Sequence, residues 1–153
     1  MPQLNSNTFI PLFEGYCRKN DIDGKNIVAR IGKNPLRLKV LSTDESQRKG
    51  FMNSNSPKDG EGLLFVYDIE IPLTFWMKNV KFPLDILFFD SNLKLVDYQT
   101  MNPDDGSQDD LLPRYTSKKP ARYAVEVPAG WCTNNLDTKN SDLSFKLELT
   151  KLS

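Results

Sequence analysis

Apolar and basic residues alternate through Leu36-Arg37-Leu38-Lys39-Val40, the period of a strand with one buried face. Ser42-Thr43-Asp44-Glu45 comes next, and Glu45 three residues after Ser42 makes a capping box that opens a short helix. Asp44 and Glu45 in its first turn, with Arg48 and Lys49 near its end, suit the helix dipole, and Gly50 is expected to stop it. Beyond a turn-rich loop from Asn53 to Gly60, strand signals recur at Leu63 to Tyr67, Thr74 to Asn79, Leu84 to Asp90 and Leu93 to Gln99. Asp90-Ser91-Asn92 reads as the hairpin turn between the last two, with Asn92 taking a positive φ. Arg122 to Val127 and Leu143 to Leu149 complete the series, the second with Leu143, Phe145, Leu147 and Leu149 alternating cleanly. Short strands separated by turns, with a single helix among them, predict a mainly β fold. The architecture expected is a jelly-roll-like β-sandwich or barrel with one short α-helix.

Residues 1–37 differ in character from the rest of the chain. They are polar, carry Pro2, Pro11 and Pro35, and contain a turn at Asn20 to Gly24, with Ile27 to Ile31 as one short apolar run of strand character. They are expected to form an N-terminal arm or extension, and residues 38–153 the β domain. A chain of 153 residues suits one such domain plus an appended segment.

Composition narrows the chemistry. Twenty basic and twenty acidic residues cancel, which argues against a general electrostatic grip on nucleic acid or anionic membrane. No apolar run reaches bilayer-spanning length, and the N-terminus lacks a charged start with an apolar core. A soluble chain is expected, cytoplasmic or assembled into a particle. The two cysteines, Cys17 and Cys132, are too few for a disulfide framework and read as free thiols. Histidine is absent, which removes the usual general base and the commonest metal ligand. Ser-His-Asp and Cys-His catalysis cannot be built within the chain, so no catalytic residue, metal or cofactor is expected.

Phe75 to Phe89 is the most informative stretch, because it holds Lys78, Asn79 and Asp85 inside a run that otherwise reads as core. Polar groups are costly to bury unless each finds a partner. With Glu126 they make the one polar set suited to a site, and Trp76 and Met52 would line the pocket around them. The competing view is a hydrogen-bonded cluster that fixes strand register. Trp131, beside Gly130 on a turn, is expected to be exposed and to anchor a partner. Ser46-Gln47-Arg48-Lys49 matches a serine acyl-enzyme pattern by chance, since the companion elements are missing.

The same stretch carries a resemblance. Phe75-Trp76-Met77-Lys78-Asn79, then Pro83-Leu84-Asp85-Ile86, resembles the signature of domain of unknown function 192, an uncharacterised family of bacteria and archaea. Thr43 to Met52 is similar to its capped helix, Gly62 to Val66 to one of its strands, and Ala121 to Gly130 to its glutamate strand and glycine turn. The resemblance spans roughly residues 38–150 and implies a compact β-rich, jelly-roll-like domain without implying an activity. Three positions depart from the pattern. Ser54 stands where the family commonly has an arginine, Leu93 replaces a hairpin glycine, and Ser141-Asp142 replaces a Gly-Asp pair. A pocket relying on that arginine would be altered here.

These readings rank three functions. First comes a non-catalytic binding or structural interaction domain, part of a larger assembly through its N-terminal arm, as in a viral or accessory structural protein. It implies a protein partner or self-assembly and no membrane. The alternative is a small-ligand-binding protein or enzyme using Lys78, Asp85 and Glu126. The third is a nucleic-acid accessory protein using the basic and aromatic residues from Arg114 to Tyr123.

Overall fold

A computed structural model describes residues 19–136 and 145–152. A one-turn helix α1 (Lys19–Ile22) leads into β1 (Asn26–Ile31) and β2 (Asn34–Leu41), and α2 (Asp44–Lys49) connects to the long strand β3 (Glu61–Ile71). A two-residue strand β4 (Thr74–Phe75) precedes the hairpin β5 (Leu84–Phe89) and β6 (Leu95–Met101). A 3-10 turn (Asp109–Leu111) and β7 (Tyr115–Thr116) lead to β8 (Ala121–Pro128), α3 (Trp131–Asn135) and β9 (Leu147–Leu152).

Seven strands form one sheet in the order β6-β5-β8-β3-β2-β1-β9, and β4 pairs with β7 in a separate two-stranded ribbon. Only β2 and β3 run parallel, joined by the crossover through α2; the other named pairs are antiparallel. The sheet curls into a half-barrel. Its two edge strands meet at one end, where the Leu95 N–H donates to the Phe145 carbonyl at 2.8 Å and the Leu147 N–H to the Leu93 carbonyl at 2.9 Å. Pairing there removes exposed strand edge.

Alternation explains the half that faces water on one side. Ile27, Ala29 and Ile31 of β1, and Leu36, Leu38 and Val40 of β2, point into the concave core, while Arg30, Arg37 and Lys39 point out. The other half is covered on both faces. All six residues of β5 are buried, with Leu87 and Phe89 in the concave core and Leu84, Ile86 and Phe88 in a second cluster behind the sheet. β8 divides the same way, with Tyr123, Val125 and Val127 inward and Ala121 and Ala124 behind. The second cover is no second sheet. It consists of the irregular segment from Leu73 to Phe82, the β4–β7 ribbon and the Phe51 turn after α2.

The mainly β class read from the sequence holds, in the form of a curled, barrel-like sheet. Several boundaries differ. Residues 26–37, expected within an N-terminal arm, belong to the sheet, because β1 pairs with β2 along its whole length and its apolar face fills the core. Residues 1–18 of that arm, with Cys17, lie outside the described residues. The α2 cap is Thr43 rather than Ser42: Thr43 Oγ1 accepts from the Ser46 N–H and Ser46 Oγ from the Thr43 N–H. Asp23 accounts for the shift. Burial opposes its charge, but its carboxyl accepts from the Ser46 hydroxyl and from the Ser42 and Thr43 N–H groups, and is held below its ordinary value. The strand expected through Asn79 ends at Phe75, where turn backbone takes over. In the β5–β6 hairpin the positive φ falls on Leu93, at 65°, not on Asn92. Residues 143 and 144 of the last expected strand lie outside the described residues. No described helix is long and apolar enough to cross a membrane.

Gly62 is set by close approach. A Cβ there would sit 2.1 Å from the Glu126 carbonyl oxygen across the β3–β8 pair, a contact that only backbone movement can relieve. Gly62→Ala is therefore expected to cost about 3 kcal/mol, seen as a lower denaturation midpoint with an unchanged denaturant slope.

Candidate functional site

Register separates the two buried carboxyls that the sequence grouped in one polar set. β5 and β8 pair with Ile86 opposite Glu126 and Asp85 opposite Val127. Since side chains alternate, Asp85 lies on the face of Leu87 and Val127, toward the concave core, and Glu126 on the face of Ile86 and Ala124 behind the sheet. The Asp85 carboxyl is 1% exposed and accepts from the Thr100 hydroxyl at 2.8 Å, the Gly130 N–H at 3.1 Å and the Cys132 N–H at 3.0 Å. It ties the start of α3 to the sheet. Trp131, expected at the surface, is consequently turned into the core and is 5% exposed. Burial, and then the Asp85 carboxylate, push the Cys132 thiol far above its ordinary value, so it stays protonated.

Lys78 and Asn79 also serve the scaffold. Asn79 takes a φ of 58°, its N–H donates to Asp104 Oδ2 at 2.8 Å, and its carbonyl accepts from the Asn53 N–H at 2.9 Å. The Asn79 and Gly106 N–H groups hold the Asp104 carboxyl below its ordinary value, which assigns part of the acidic loop to turn formation. Lys78 reaches neither Asp85 nor Glu126. Its ammonium pairs with Asp109 at 2.7 Å and lies 5.4 Å from the centre of the Trp76 ring. Arg114 stacks on the same indole at 4.5 Å while donating to the Leu112 and Asp109 carbonyls. The loop leading to β7 is thus fastened to the Trp76 turn by the Lys78–Asp109 ion pair and the Arg114–Trp76 cation–π contact.

Between that turn and α2 opens a cleft of about 350 Å³. Phe65, Tyr67, Phe75 and Trp76 form its aromatic walls, Met52 and Met77 add thioethers, and Asp44, Arg48 and Lys49 of α2 stand at its mouth. Phe75 packs edge-on to Phe65 at 5.0 Å and to Tyr67 at 6.5 Å, which holds the walls in place. Of the residues singled out from the sequence, Met52, Trp76, Lys78 and Glu126 meet here, and Asn79 and Asp85 do not. Phe65, Tyr67 and Asp44 were not anticipated. Phe65 and Tyr67 share one face of a strand visible in the sequence, but nothing local shows that this face looks onto Glu126.

Glu126 is the chemical centre of the cleft. It is 5% exposed, and among the described residues no hydrogen bond or ion pair reaches its carboxyl. Asp97, equally buried, accepts from the Gln99 side chain at 2.8 Å and the Lys118 N–H at 3.0 Å. Among the described residues no fully buried side-chain oxygen is left without a partner, so the Glu126 oxygens keep their access through the cleft. Burial raises its carboxyl to about 8, which keeps it protonated at neutral pH and able both to donate and to accept. Burial, then the Glu126 and Asp44 carboxylates, hold the Tyr67 phenol well above its usual range. Among the described residues no cluster of three or more cysteine or carboxylate side chains is placed to hold a metal ion.

The family model DUF192, described as an uncharacterised ACR, matches residues 27–143. No curated protein matches the chain. Among solved structures, the chain is similar to a protein of unknown function from Novosphingobium aromaticivorans, with 22% identity and a TM-score of 0.68, covering 80% of this chain and 84% of that one. It is similar also to a protein from Sinorhizobium meliloti described as a proposed transcription regulator, with 21% identity and a TM-score of 0.65, covering 82% and 92%. At these identities the likeness is one of fold.

Asp85→Ala is expected to strip two buried N–H groups of their acceptor and to cost on the order of 3 kcal/mol, measured by chemical denaturation. Glu126 makes the opposite kind of prediction. Its carboxyl is raised from 4.5 to about 8 on folding, so the folded state holds a proton the unfolded chain releases. The stability it allows is full below pH 4.5 and is lost as pH rises toward 8 and beyond. The loss should be on the order of 5 kcal/mol. Glu126→Gln, which mimics the protonated acid, should flatten this part of the stability–pH curve while leaving stability at pH 5 nearly unchanged.

Proposed function

We propose that this chain, which belongs to the DUF192 family, binds a small organic ligand in the cleft above Glu126. One observation carries the reading: a buried carboxyl without a protein partner opens onto a preformed space with aromatic walls. The other buried carboxylates among the described residues, Asp85 and Asp97, are satisfied by the protein itself. Buried polar groups left open in a mostly apolar cleft are what orient ligands in small-molecule sites. Burial keeps Glu126 and Tyr67 largely protonated at neutral pH, so the resting cleft offers two groups that can donate hydrogen bonds to a ligand. Assembly through an N-terminal arm remains a separate proposal that turns on residues 1–18, outside the described residues.

A thermal-shift screen of fragment-sized compounds tests the cleft reading. Thr74 is an exposed position on the rim, and Thr74→Trp should fill the opening without touching either core. Hits that raise the midpoint of the native chain by several degrees should lose that effect in the variant. Failure of every compound to bind, or shifts that survive Thr74→Trp, would overturn the reading.

A further inference from the structure

Building on the ligand-binding reading, we propose that the ligand carries an organic ammonium group, held against the Glu126 carboxylate and the aromatic faces around it. A carboxyl at the floor of the cleft has no cation of its own. The cations that line the cleft are spent elsewhere or stay at its exposed mouth. Lys78 is paired with Asp109 at 2.7 Å. Arg122, on the same strand face as Glu126, donates to the Tyr67 carbonyl at 3.0 Å. Arg48 and Lys49 are exposed on the last turn of α2, and burial alone accounts for the raised Glu126 carboxyl, with no neighbouring cation lowering it.

Carboxyl groups, in contrast, stand at both ends of the path inward, Asp44 beside Arg48 and Lys49 and Glu126 alone. Asp44 is exposed at the mouth, Glu126 is buried at the floor, and the Tyr67 phenol feels both carboxyls. The walls are the surfaces an ammonium prefers. Phe65, Phe75 and Tyr67 line the cleft with aromatic rings, a residue type that attracts cations, and Met52 and Met77 are polarizable. Trp76 already accepts two cations, Lys78 and Arg114, so the indole shows this chemistry in place. An entering ammonium would pair with a carboxylate that otherwise must stay protonated.

The proton balance is set by the same pairing. At neutral pH the free site holds the Glu126 proton and the ligand arrives already charged. Forming the ion pair expels the carboxyl proton to solvent, so binding releases up to one proton and strengthens as pH rises toward 8. A neutral ligand hydrogen-bonded to the protonated acid would release none and would bind less well above that pH.

The test uses the whole chain and a panel of primary amines with their alcohol isosteres, beginning with 2-phenylethylamine and 2-phenylethanol. Calorimetry at pH 7 in two buffers of different ionisation enthalpy counts protons, and titrations at pH 6.5 and 8.5 give the affinity change. The expected result is amine preference, proton release, and an amine affinity at least about tenfold higher at the upper pH. Glu126→Gln should erase the release and the pH dependence, and Tyr67→Phe, which keeps the wall, should retain both. Alcohols that bind as well as amines, or amines that bind without releasing protons, would overturn the ammonium inference and leave the cleft reading standing. No binding by either series, together with an empty fragment screen, would remove both.

Discussion

Three neighbouring strands, β3, β8 and β5, are covered on both faces, and the rest of the molecule is arranged around the consequences. A strand in that position has no solvent to which a polar side chain can turn. Each one must find a partner within the protein or face a space reserved for something else. Asp85 and Glu126 lie on adjacent strands, one position out of step, and meet the two alternatives. Asp85 gathers three donors and binds α3 to the concave core. Glu126 gathers none and faces the cleft.

The cover behind the sheet explains why a cleft exists there. A second sheet would pack side chains uniformly against Phe65, Ile86 and Phe88. Here that surface is closed by a turn, a two-residue ribbon and the end of a six-residue helix. Irregular backbone needs particular conformations, and they appear as positive φ at Asn53, Asn79 and Gly50. Side chains pin the turns down, with Asp104 on Asn79 and Asp109 on Lys78. The cleft is the gap that such a patchwork leaves between α2 and the Trp76 turn. Binding sites commonly occupy loops held by a rigid sheet in this manner.

Most polar residues of the family-like motif therefore maintain the walls. Lys78 and Asp85 have side-chain partners within the protein, and Asn79 serves the frame through its backbone N–H and its positive φ. The buried carboxyl that lines the cleft comes instead from a strand some forty residues further on, near Tyr67 and Asp44. Distance along the chain thus says little about which polar groups share a task.

Much was settled by residue order alone. Period-2 alternation in β2, the capped helix ended by Gly50, and the chain of short strands specify a mainly β domain and much of its core. The same pattern could mark Glu126, Lys78 and Asp85 as costly to bury and so as worth explaining. It could not say which face each would occupy. Because side chains alternate with a period of two, slipping β5 against β8 by one residue would exchange the two faces, and that register comes from pairings made far apart in the chain. Trp131 was misread for a related reason: a Gly-Trp step looks like an exposed turn until Asp85, forty-five positions earlier, is seen to draw the Gly130 backbone onto the sheet. Local pattern determined what must be buried; only tertiary pairing decided what each buried charge would meet, because its partners are supplied by other strands.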